Sequence, residues 1–276
     1  MLDHGHKTPH LQEHLLNFSV PDYAPELRQL VLDYTLQLAD TSLIVGHRLS
    51  EWCGHGPILE QDLAMANIAL DLIGETRSLY QYAATLEGKG RTEDDLAYLR
   101  DAVEYRNPLL VEQPNGDFAD TMMRQFLFDG FHYFLLKQLQ QSSDQGLAAI
   151  AAKSFKEASY HIKWSSEWVI RLGDGTAESK RRIEKAVDNL WMYSGELFMM
   201  TDTERQLSEA GIIPDYTVLK QQWLEHIVKV FTEATIGVPQ NVFMQQGGKT
   251  GRHTEHLGYI LTELQYLQRT YPGLEW

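Results

Sequence analysis

Apolar side chains recur at every third and fourth position along four stretches of roughly 25–30 residues, and each stretch stops at glycine or proline. No other feature constrains the fold as strongly. The first stretch, LRQLVLDYTLQLADTSLIVGHRLSEW, opens at about Glu26 and stops before Gly54, Gly56 and Pro57. Pro57 suits the first turn of the second, ILEQDLAMANIALDLIGETRSLYQYAATLEG, which leaves at Gly88 and Gly90. Thr92 with Asp95 reads as a capping box, with Asp in place of Glu, opening a shorter helix to about Tyr105. Asn107-Pro108 and Gln113-Pro114-Asn115-Gly116 are loop signals.

A third long helix is expected over about 117–141 and a fourth over about 144–172. Gly173-Asp174-Gly175-Thr176 reads as a stop followed by a new N-cap. Helices over about 177–199, 203–210, 216–235 and 254–269 follow, and the Gly- and Gln-rich stretch 237–251 reads as a mobile loop. Neither an alternating β pattern of useful length nor an internal repeat is present. The expected fold is therefore all-α, a four-helix bundle core with additional C-terminal helices, in a single domain over residues 26–276. Residues 1–25 read as a flexible N-terminal extension. They carry His4, His6, His10 and His14 without helical periodicity, and Pro21 and Pro25 break it.

Charge narrows the function. The chain has 276 residues, with 24 Lys and Arg against 38 Asp and Glu, a formal net charge of −14. Such a field repels phosphates, so nucleic acid is not an expected partner. No apolar run reaches the roughly 18–20 residues of a membrane span, and no charged-then-apolar leader opens the chain. Neither membrane insertion nor export is expected. The single cysteine, Cys53, has no intrachain disulfide partner, which fits a reducing cytoplasm. It reads as a small buried or interfacial hydrophobe rather than a nucleophile. Any metal is left to carboxylates and imidazoles.

A four-helix core of this size has one well-known metal arrangement. Two helices each supply a Glu, and the other two each supply Glu-x-x-His, whose i, i+3 spacing aims both ligands inward. On the first helix the expected inward stripe is Asp33, Gln37, Asp40, Ile44, His47 and Glu51. The second gives Leu72 and Glu75 where Glu and His would stand, and the fourth gives Ala158 and His161. The third places Asp129 among large apolar side chains. Of six positions, Leu72 and Ala158 cannot bind metal, Glu75 replaces a histidine, Asp40 and Asp129 are short, and only His161 is intact. Two cations need roughly four carboxylates and two imidazoles. The expectation is thus no metal, no cofactor and no catalytic residue in this chain. Asp40, Glu75, Asp129 and His161 are expected to meet at the centre as a hydrogen-bonded, partly ion-paired cluster.

The stretches GHRLSEWCGHGPILEQDLAMANIALDLIGETRSLY, YRNPLLVEQPNGDFADTMMRQFLFDGF, KEASYHIKWSSEWVIRLGDGT and LWMYSGELF resemble the PaaC family. These are the ferritin-like structural subunits of bacterial multicomponent phenylacetyl-CoA epoxidase. The resemblance covers about residues 26–271. It implies a metal-free subunit pairing with PaaA, a homologous catalytic subunit that holds di-iron and binds phenylacetyl-CoA. Small further subunits and a flavin/iron–sulfur reductase complete an NADPH- and O₂-dependent monooxygenase of phenylacetate degradation. The similarity of that catalytic relative around DLIGETRSLY and EASYH sets the frame at Leu72/Glu75 and Ala158/His161. On the first helix, Asp33 and Glu51 stay open as alternatives to Asp40.

Two rival readings stand beside this one: an iron-binding subunit with a reduced site of Asp40, Glu75, Asp129 and His161, and a stand-alone acyl-CoA-binding helical protein. The isolated chain is also left open to forming a homodimer. The densest basic run, Lys180-Arg181-Arg182 with Lys185, reads as a solvated helix face or a contact for CoA phosphates or an acidic partner. Trp164 and Trp168, with Trp191 and Tyr193, read as core packing or an interface anchor.

Overall fold

Every helix expected from the sequence is present, and most begin where a local cap places them. The computed structural model describes residues 18 and 20–274, and no strand occurs among them. Four long helices form the core: α1 (Pro25–Ser50), α2 (Leu59–Glu87), α5 (Phe118–Leu139) and α6 (Gln145–Gly173). Between the two pairs lie α3 (Glu93–Tyr98) and α4 (Leu109–Glu112), a single turn that the loop signals around it concealed. After them come α7 (Ala177–Ser194), α8 (Asp202–Glu209), α9 (Tyr216–Glu233) and α10 (Glu255–Thr270). Gly88, at φ 68°, ends α2 in the left-handed conformation that favours glycine. Thr92 and Asp95 close a reciprocal capping box on α3, and Asp117, Asp144 and Thr176 cap α5, α6 and α7.

α1 lies along α2 and α5 along α6, and the pairs meet through α2 and α6, as in a ferritin-like bundle. Ile44, Leu49, Met65, Ile68, Phe126, Phe128, Leu147 and Ile150 are among the buried residues of the core. α7 and α9 pack on α5, α8 on α1, and α10 on α3. The described end of the N-terminal extension is docked. Phe18 tilts against Tyr82, and the hydroxyls of Tyr23 and Tyr82 both donate to Asp144 Oδ2, at 2.8 and 2.6 Å. His4, His6, His10 and His14 lie outside the described residues.

Two expectations are corrected. α3 ends at Tyr98 rather than near Tyr105, because the chain then turns around a buried guanidinium. Arg100 donates to Leu96 O at 2.6 Å and Glu104 O at 3.2 Å, lies over the ring of Tyr105 and ion-pairs with Asp40. The stretch 237–251 is tied down rather than mobile over its second half. Three buried carboxylates hold it and the residues that follow. Glu196 accepts from the backbone N–H groups of Leu109, Gly247 and Lys249 at 2.7, 2.8 and 3.3 Å. Glu204 takes the Lys249 ammonium at 2.9 Å. Glu112 accepts from His253 Nδ1 and from the backbone and hydroxyl of Thr254, at the start of α10. Gly248 is needed by close approach, since a Cβ there would sit 2.3 Å from Asn107 O.

Replacing Glu196 with Ala strands three buried donors, with an expected loss of about 3 kcal/mol and a fall in melting midpoint of roughly 6–10 °C. Glu196→Gln, which keeps one acceptor, is expected to lose about half as much. Calorimetry of both variants checks this, and an unchanged midpoint for Glu196→Ala contradicts the role assigned to the carboxylate.

Candidate functional site

At the centre of the bundle α2 turns one carboxylate inward. Glu75 is buried and accepts from Ser42 of α1 at 2.7 Å and from His132 Nε2 of α5 at 2.9 Å. Ser154 of α6 lies close enough to favour the ionised carboxyl, so all four core helices bear on this one site. Burial opposes ionisation of Glu75, but His132 and the two hydroxyls outweigh it and hold the carboxyl below its ordinary value. For His132 burial opposes the charge, and Glu75 outweighs it, so the imidazole lies above its ordinary value. Phe128, one turn earlier on α5, stacks on the imidazole with centroids 5.0 Å apart. The result is a buried carboxylate–imidazolium pair.

Asp129, one turn before His132, is held on one oxygen by Gln125 Nε2 at 2.6 Å. Burial pushes its carboxyl above the usual range, against the opposing pull of His161, Ser165, Gln125 and His132. His161 of α6 is buried and bonds outward through Nε2 to Asp71 Oδ2 of α2, at 3.0 Å. Glu157, one turn before His161, is raised by burial and by the neighbouring charges of Asp71 and Glu75. Leu72 and Ala158 are buried and apolar, and offer no donor.

Asp40 does not join this cluster. It is fully buried on the opposite flank of α1, where it pairs with Arg100 and accepts from Tyr80 Oη at 2.6 Å and Arg106 N at 2.9 Å. The helix-one group that reaches the centre is Ser42, two positions along and so about 200° around the helix. Neither alternative reaches it. Asp33 is bonded by Gln29, and Glu51 pairs with Arg48. The expected four-residue cluster thus divides. Glu75 pairs with His132, Asp129 and His161 interact electrostatically beside them, and Asp40 anchors the segment after α3.

His132, Ser42, Ser154 and Asp71 were not among the residues expected here. Only His132 had a visible signal: Asp129-Gly130-Phe131-His132 is a carboxylate-x-x-His spacing, on the third helix rather than the second or fourth. Among the described residues, no group of three or more His, Cys, Asp and Glu is arranged to hold a metal ion. The cavity touching Glu75 and His132 measures about 20 Å³ and is walled by Phe128, Leu135 and Leu147 among others. That is room for about one water, against roughly 300 Å³ or more for a ligand site.

The remaining candidates are engaged locally. Arg181 and Arg182 pair with Glu178, Arg182 also with Asp117, and Lys180 donates to Thr235. Trp164 and Trp168 both donate to Gln61 Oε1, at 3.0 and 2.8 Å. Trp191 instead packs against Trp223 and Phe231, so the tryptophans belong to separate clusters. Cys53 is exposed, so of the two sites expected for it, burial within the chain does not hold. No helix is long and apolar enough to cross a membrane, among the described residues.

Removing the imidazole with His132→Gln leaves Glu75 buried without its counter-charge, at an expected cost of about 3–5 kcal/mol. The folded pKa of His132 is raised, so its contribution is complete below the ordinary 6.5 and is lost as pH rises through the folded value. The folded pKa of Glu75 is depressed, so its contribution is present above the ordinary 4.5 and lost as pH falls through the folded value. The stability gap between wild type and His132→Gln is therefore expected to be widest between pH 4.5 and 6.5. Urea unfolding at pH 5.5 and at pH 9 checks this. A gap that is equal at both, or wider at pH 9, contradicts the pairing.

Sequence comparison agrees with this architecture. A family profile described as phenylacetic acid catabolic protein matches residues 21–276. The chain is 49% identical over 243 residues to a component of the 1,2-phenylacetyl-CoA epoxidase of Escherichia coli (strain K12), covering 88% of this chain and 98% of that relative. With its ferritin-like core and a profile match over nearly its whole length, this chain belongs to the phenylacetic acid catabolic protein family.

Proposed function

We propose that this chain is a non-catalytic structural subunit of a multicomponent phenylacetyl-CoA epoxidase in the cytoplasm, pairing with a homologous di-iron subunit of the PaaA type. The similarity to an epoxidase component of E. coli supports the assignment to such a complex. The partner's iron, small further subunits and an NADPH-dependent flavin/iron–sulfur reductase would supply the redox chemistry.

One observation supports the non-catalytic half of the reading: Glu75, Asp129 and His161 each already hold a hydrogen-bond partner within the chain, although Asp129 Oδ2, His132 Nδ1 and His161 Nδ1 are buried without one. Two iron ions would meet Glu75 already neutralised by His132, Asp129 bound by Gln125 and His161 turned to Asp71. Leu72 and Ala158 add nothing, and α1 contributes a serine where a bridging carboxylate would stand. Such a donor set is short of the roughly four carboxylates and two free imidazoles that two irons require. The central cavity is also too small for an acyl group.

Metal analysis by mass spectrometry tests the reading. Iron is expected near zero in the isolated chain, and about two per heterodimer once it is purified with its di-iron partner. The double variant Asp129→Asn, His161→Gln, which spares the Glu75–His132 pair, is expected to leave epoxidase activity of the assembled complex within about twofold, because neither group would touch substrate or metal. Roughly stoichiometric iron in the isolated chain, or loss of activity with assembly intact, would move the reduced iron site to first place.

A further inference from the structure

Gln37 and Lys249 line two hollows in the fold. One is the small cavity beside Glu75 and His132. The other is a surface cleft of about 330 Å³, within the size range of small-ligand sites. Its walls come from α1, the segment after α3, the start of α8 and the turn around Thr250. Four charged side chains face it, and two of them are neutralised within the chain. Lys249 gives its ammonium to Glu204 and to the carbonyls of Leu197 and Met199, at 2.9, 3.3 and 3.2 Å. Asp202 pairs with Arg205. The remaining two, Asp33 and Arg106, are of opposite sign and act on one another electrostatically, yet no ion pair joins them among the described residues.

Both keep capacity to bind. Asp33 spends Oδ1 on Gln29 Nε2 at 2.8 Å, and its Oδ2 has no partner among the described residues. Burial holds this carboxyl above its ordinary value, against the pull of Gln29 and Arg106. Arg106 spends Nη1 on the carbonyls of Val103 and Tyr105, at 2.7 and 2.8 Å, which fixes the guanidinium and leaves Nε and Nη2 to donate. Gln37, one turn after Asp33 on α1, gives Nε2 to Glu204 at 2.8 Å and keeps Oε1 as an acceptor. Thr203 Oγ1 also has no partner among the described residues. α1 thus offers two acceptors, and Arg106 with Thr203 offers donors. A lone anion entering the cleft meets Asp33 as a like charge, and a lone cation meets Arg106. A neutral ligand leaves both charges unpaired. A molecule that carries an ammonium and a carboxylate satisfies both at once. We propose that this cleft is a binding site for a small zwitterion, its ammonium on Asp33 and Gln37 Oε1 and its carboxylate on Arg106 and Thr203. Because the walls belong to separate segments, the bound zwitterion also braces α1 against α8 and the turn at Lys249.

Calorimetric titration of the full chain with glycine, β-alanine and γ-aminobutyrate tests this, since the three carry the same two charges at increasing separation. At least one is expected to bind saturably with a Kd of about 1 mM or tighter. Acetate and methylammonium, with one charge each, are expected to bind at least tenfold more weakly. Asp33→Asn and Arg106→Gln are each expected to weaken the best probe at least tenfold, with melting midpoints in the absence of probe close to wild type. Should either variant fail to fold, Thr203→Val keeps the shape of a side chain without a partner and is expected to weaken binding about threefold. Absence of saturable heat from all three probes up to about 50 mM overturns the proposal, as does binding of acetate or methylammonium as tight as that of the best zwitterion. Unchanged affinity in the folded variants places the probe elsewhere and overturns the site. The subunit reading above stands in every case.

Discussion

The ion pair between Glu75 and His132 is the interaction around which the bundle closes. A carboxylate surrounded by four helices and 6% exposed cannot stay charged without a compensating cation. Here the cation is a proton on a neighbouring imidazole. α1 adds a serine hydroxyl and α5 adds the imidazole, so the carboxylate on α2 fixes the mutual rotation of these three helices. A buried pair of this kind adds little net stability over apolar residues of equal volume, but losing one partner is expensive. What it supplies is register.

What the sequence made legible follows from how far each interaction reaches. Caps act over three or four residues, so Thr92 with Asp95, Asp117, Asp144 and Thr176 can be read from spacing alone, and the structure uses each of them as a helix start. The inward stripe of α1 is harder. At 100° per residue, a small error of phase moves a group to another face, and Asp40, expected as the inward carboxylate, faces Arg100 instead. Arg100 itself lies 60 residues away in sequence, so no local pattern announces the pair. His132 is different, since its spacing from Asp129 is visible. The metal arrangement places the histidines on the second and fourth helices, and so draws attention away from the third. The Gly- and Gln-rich stretch misleads for the opposite reason. Composition argues for mobility, while the distant carboxylates of Glu196 and Glu204, with the carbonyls of Leu197 and Met199, hold Gly247 to Lys249 in place.

The two sides of α2 bring these points together. A surface helix needs one apolar stripe to pack on a core, and a second stripe at heptad spacing stabilises nothing within the chain. It raises the risk of unwanted association unless a partner covers it. The inner stripe ends in a centre where Glu75 is satisfied and little space is left beside it. The outer stripe ends in solvent, with Leu59 and Leu70 each about two-thirds exposed or more. A chain built only to fold would have closed the second face as it closed the first. Glu75 braces the inner side of α2, while apolar surface is left uncovered on its outer side. That division favours a role in which the bundle contributes shape and contact area to another subunit.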